Sequence, residues 1–310
     1  MTFGELLLTV GLPTLVGAIL IVPAWVIPRI RKTAGIAGSA LGVALGLGVA
    51  IAFMTVADIP SLPPTQKWHM LPIIACGVTV LCPVVAMVDG SGELGRWLIG
   101  IASGAIIGWL AVFPNMDLFM RILLGVYVAM TFMVLSWGSH RRRGLTLNLA
   151  FTIVFTGLTL LCMKAHFITL TLIAAALSSI SFVAFLSALV AAIWTRDEDG
   201  KKRFIKIGWG GAFAIAALIP MVTFCGWAYN TGDVQWVHWL LVAVAPVMLL
   251  FGELPGLSHN NRLSGFVVRI ALVTAPVVIG LTLLYSGVGL DVDHADDEYN
   301  IEYFEEHMEP

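Results

Sequence analysis

The sequence predicts an all-α, polytopic helical membrane protein of about ten transmembrane helices, and three observations carry that prediction. Hydrophobic residues make up 59% of the 310-residue chain and charged residues only 12%, with a mean hydropathy of +0.93. A soluble fold of this size needs a polar shell that so few charges cannot supply. Uniformly apolar runs of helical span length recur between short polar or turn-rich breaks. Lysine and arginine concentrate in alternate breaks, as expected when basic loops stay on the cytoplasmic side. A membrane barrel is excluded, because its strands would alternate apolar and polar residues over about ten positions.

Ten spans follow in order. The first, 4–27, precedes Arg29, Arg31 and Lys32; its basic residues come after the apolar run, so it is read as a retained span rather than a cleavable signal. The second, 34–57, carries Gly38, Gly42 and Gly46, and the fourth, 95–113, carries Gly100, Gly104 and Gly108. A glycine at every fourth position lays a groove along one helix face, letting another backbone approach where lipid gives no hydrophobic drive for association. These faces are expected as packing seams, within the chain or between copies. The third span, 71–88, opens on Trp68 and His69 and contains Pro83; the fifth, 117–137, has Arg121 near its start. The sixth and seventh cover 145–163 and 166–194. The eighth, 205–227, begins with clustered glycines, the ninth, 237–252, is short and contains Pro246, and the tenth, 266–286, has Arg269 near its start. The organisation is thus one bundle over 1–286 and an acidic tail over 287–310.

Orientation follows from the charges. With the N-terminus outside, fourteen of the seventeen basic residues lie on the cytoplasmic side, leaving Lys67, Arg121 and Lys164 outside. The acids do the reverse, and both termini are expected outside a bacterial-type inner membrane. The ten tryptophans fit this frame: Trp25, Trp97, Trp137, Trp194 and Trp209 fall at inner ends and Trp68, Trp109, Trp227, Trp236 and Trp239 at or near outer ends, where indole prefers the headgroup level. Two hairpins also begin alike, Gln66-Lys67-Trp68-His69 and Gln235-Trp236-Val237-His238. On that basis spans 1–4 align with 7–10 as a parallel repeat, against the alternative of chance likeness between apolar hairpins.

Chemistry is sparse. No Asp, Glu, Lys or Arg falls near the centre of any span, which disfavours a pump coupled through an intramembrane carboxylate. Arg121 and Arg269 lie close enough to helix ends to snorkel, as interfacial anchors or as contacts to an anion or lipid headgroup. His69, His166 and His238 share the outer level and are the candidate ligands for a metal, a haem or a quinone if their helices converge; otherwise each is an isolated interfacial residue. Cys76, Cys82, Cys162 and Cys225 sit in apolar runs without CxxC spacing, so neither a disulfide framework nor a zinc site is indicated. The tail carries nine acids and no Lys or Arg; it is read as a solvated segment or as a dock for a basic external partner, with Tyr299, Tyr303 and Phe304 as anchors. Asp291, Asp293 and Glu302 match a calcium loop only in part, since Ala295 and Asp296 break the pattern.

Hydrolase, metalloprotease, nucleotide-binding and dinucleotide-binding motifs are all missing from the sequence. The net charge of −2 argues against nucleic acid, and no cofactor is assigned. The expected partners are the bilayer and other membrane subunits or a second copy. Two function classes lead: a non-catalytic subunit or scaffold of a membrane assembly, and a permease or transporter of lipids or small molecules. A metal, haem or quinone site at the outer histidines is the third.

Overall fold

The computed structural model describes residues 3–27, 35–57, 67–111, 116–141, 144–194, 205–230, 234–253 and 263–286. Among these every regular element is helical. α1 (Leu12–Val26) continues back to Phe3 through a π-helical turn at Leu7–Gly11. It is followed by α2 (Ile36–Val56), α3 (Met70–Met87), α4 (Gly92–Leu110), α5 (Leu118–Arg141), α6 (Gly144–Lys164), α7 (Ile168–Trp194), α8 (Gly208–Ala228), α9 (Trp236–Val244) and α10 (Leu263–Ser286). The acidic tail, with Tyr299, Tyr303 and Phe304, lies outside the described residues, as do most of the basic loop residues.

Each of the ten expected apolar segments therefore contains a helix, and eight helices are long and apolar enough to cross a membrane. The exceptions are α4 and α9. Glu93, Arg96 and repeated glycines dilute the apolarity of α4. α9 stops at Val244 because Pro246 has no N–H to continue the ladder; after a turn the chain resumes as a 3₁₀ helix over Val247–Glu253.

The bundle is organised around α8. Seventeen of its 21 residues are buried, and it packs against α2, α3 and α5, with further contacts to α6, α7 and α9. A helix apolar on every face belongs in such a position. α2 with α3, α4 with α5, and α6 with α7 form antiparallel hairpins; α1 closes against α2 and α7, and α10 against α6 and α9. The buried apolar residues make one continuous core. Exposed Leu15 and Ile19 on α1, Leu98 and Ile101 on α4, Ile122 and Val126 on α5, and Val278 and Ile279 on α10 form an apolar outer surface.

Close helix approach depends on the missing β-carbons. One added at Gly46 would lie 2.7 Å from the Ala75 carbonyl oxygen of α3, one at Gly42 would lie 3.0 Å from the Gly210 carbonyl oxygen of α8, and one at Gly38 would collide with the Ile207 carbonyl. On the second hairpin, Gly104 abuts the Gly125 carbonyl, Gly108 would place a β-carbon 2.7 Å from the Arg121 carbonyl oxygen, and Gly100 faces Phe132. The start of α8 needs glycine for a different reason. Gly208 has φ +66, and Asp89, just past α3, accepts the Trp209 amide proton at 3.1 Å. The free amides of one helix start are thus capped from another helix. The hairpins compared as a repeat differ at their prolines: Pro83 stays inside α3, whereas Pro246 ends α9.

Candidate functional site

At one end of the bundle the termini of α2, α3, α7 and α8 meet in an aromatic cluster. Trp68 stands 4.9 Å from Phe53, 4.6 Å from His69 and 5.9 Å from Phe167, centroid to centroid. Phe167 continues the cluster to Tyr229 at 5.6 Å. The Tyr229 hydroxyl accepts the Trp68 amide proton at 3.1 Å, and burial pushes its pKa up. His69 meets Phe53 edge-on, and its Nδ1 is buried without a hydrogen-bond partner among the described residues.

The other two histidines sit in different surroundings. His166 is exposed in the α6–α7 turn with φ 58. His238 is buried on α9, with Nδ1 3.2 Å from the Gln235 carbonyl. A carbonyl only accepts, so only the tautomer protonated at Nδ1 can donate there. Among the described residues no group of three or more His, Cys, Asp or Glu side chains is placed to hold a metal ion.

The two arginines separate as well. Arg269 is 6% exposed, and its aliphatic stem packs on Gly252. It lines a void of about 20 Å³ with Trp137, Thr146 and Leu249, room for a single water. Arg121 is half-buried and lines an open groove of about 340 Å³ between α4 and α5, floored by Gly104, Gly108 and Gly125 and rimmed by Trp109. Its Nε is buried without a hydrogen-bond partner among the described residues.

On the other flank of α5 lies a larger apolar cleft, about 470 Å³, walled by Met120 and Leu123 of α5, Phe224 and Trp227 of α8, and Trp236 and Trp239 of α9. Trp239 is buried, its ring edge seated against Gly226, and its Nε1 has no partner among the described residues. Tyr127 of α5 donates to the Ala243 carbonyl, one of the carbonyls left open where α9 breaks.

On α6 and α7, Thr152, Thr156 and Ser178 form a hydrogen-bonded ladder that ends on exposed Thr156. Ser178 and Thr156 hydrogen-bond each other at 2.8 Å across α6 and α7, and Thr223 returns its hydroxyl to Ile219 of its own helix. Asn148 and Ser181 are buried without hydrogen-bond partners among the described residues.

No family model, curated protein or solved structure matches this chain.

The tryptophan cleft was not visible in the sequence, where Trp227, Trp236 and Trp239 read as interface markers. Their convergence depends on how α8 and α9 pack, and the sequence signal was only their shared level. Asp89 lies in the break after the third span, where nothing in the sequence points to α8, and Tyr127 carried no signal.

Proposed function

We propose that the chain is a non-catalytic integral membrane protein, a subunit or scaffold of a membrane assembly, with both termini on the outer side of a bacterial-type inner membrane. The observation that carries this reading is the position of α8. The axis of the bundle is occupied by a helix with seventeen of 21 residues buried, and the two larger clefts lie beside α5, walled partly by exposed apolar side chains. A scaffold needs a filled interior and binding surfaces on its flanks; a transporter needs a polar path near the midplane. The acidic tail supplies the dock for a basic external partner, and spans 1–4 and 7–10 remain a proposed duplication. One observation favours transport as the second reading: Asn148 and Ser181 are buried polar groups without partners among the described residues, and such groups inside a membrane bundle often serve a substrate.

Native mass spectrometry of the protein released gently from its own membrane tests the choice. A fixed stoichiometry of other polypeptides, lost when residues 287–310 are removed, is the expected result. A lone chain or homo-oligomer that moves a bound small molecule across reconstituted vesicles would establish transport instead.

A further inference from the structure

We infer that the groove between α4 and α5 binds one anionic phospholipid, with its phosphate on Arg121 and one acyl chain laid over Gly104, Gly108 and Gly125. The inference stands independently of the subunit reading. Arg121 lies in the first turn of α5 and Trp109 in the last turn of α4, so the charged end of the groove coincides with the end of α5, a helix long and apolar enough to span, and with the headgroup level there. From Arg121 to Ala129 the groove follows α5 for about 12 Å at 1.5 Å per residue, comparable with one leaflet of hydrocarbon, about 15 Å. Its walls are almost wholly apolar, and Ile101, Ile122 and Val126 beside it are exposed.

Arg121 selects the occupant. A guanidinium whose Nε is buried without an acceptor, as here among the described residues, carries a desolvation cost that an uncharged tail cannot offset. A phosphate diester accepts its planar fork in a bidentate pair. Asp117, the nearest acid in sequence, turns its Oδ1 to the Met120 amide at 2.8 Å. The glycine contacts make the groove: with the α4 and α5 backbones touching at Gly104 and Gly108, no side chain fills the lipid side of that seam.

The test uses the full chain, delipidated in detergent and titrated separately with phosphatidylglycerol and phosphatidylcholine, with bound lipids counted by native mass spectrometry. The wild type should retain one phosphatidylglycerol about five-fold or more in preference to phosphatidylcholine, the size expected for one interfacial arginine. Arg121→Gln should abolish that preference and Arg121→Lys should keep most of it. Ala105→Phe places a ring in the groove from an exposed position, leaves the helix seam untouched, and should weaken retention of both lipids. Unchanged preference in Arg121→Gln, unchanged retention in Ala105→Phe, or a second copy of the chain in place of the lipid would each overturn the inference. Helical content measured by circular dichroism identifies any variant that has not folded, and the remaining variants then decide the question.

Discussion

Arg121 and Arg269 look alike in the sequence: each is a lone arginine near the start of an apolar run. Packing makes them different residues. The stem of Arg269 is pressed onto Gly252 and it is 6% exposed, whereas Arg121 opens onto the lipid side of a hairpin. What separates them is the neighbour each helix acquires, and no local pattern encodes that. The same holds for the histidines, placed at one level by their position in the spans but given an aromatic cluster, an exposed turn and a buried helix face by tertiary contacts. Asp89, just past the end of the third span, likewise gains its role only from packing, capping α8 through the Trp209 amide. Asp89→Ala should therefore lower stability by about 1 kcal/mol, seen as a lower midpoint of thermal unfolding in detergent. Asp89→Asn, which keeps an acceptor, should recover most of it. Equal midpoints for wild type and Asp89→Ala would mean the contact contributes nothing net.

Helices were the most legible part of the sequence, because length and uniform apolarity are local properties. Each expected segment contains one. The fourth and ninth differ from the rest for reasons visible in their residues, the charges and glycines of α4 and the proline that ends α9. Which helices become neighbours was legible only where glycine recurred, and even there the partner was not. Gly42 approaches both Cys82 of α3 and Gly210 of α8, while Gly104 approaches Gly125 of α5. The α4–α5 contact predicts its own failure. A β-carbon at Gly104 meets backbone, which cannot move aside as a side chain can, so Gly104→Val should cost about 1–3 kcal/mol or force the helices apart. Disulfide trapping between cysteines placed at 101 and 129 should slow in that variant. Gly77→Val, where a β-carbon meets nothing within 4 Å, should leave the trapping rate unchanged.

On the scale of the whole molecule, the segregation of charge gives an orientation that can be tested directly. In a Cys76→Ser background, which removes the exposed native thiol, a cysteine placed after Pro310 should react with an impermeant maleimide on intact cells. One at Gly200 should react only after the membrane is opened. The reverse pattern would invert the topology drawn from the basic loops. Length and composition made the membrane class plain, but they gave no hint that one helix would be enclosed by the others.

That enclosure bears on how the chain is made. Helices leave the ribosome in order, yet α8 is the eighth, and α2, α3 and α5, which surround it, are all synthesised earlier. Until Ala228 emerges, the surfaces those three helices turn toward α8 face lipid or one another, with Gly38 and the α8 side of Gly42 uncovered. Assembly of the core must therefore wait for a late segment or reopen to admit it. A nascent chain arrested before residue 208 is a half-built ring, a natural client for any chaperone that shields small-residue surfaces within the bilayer.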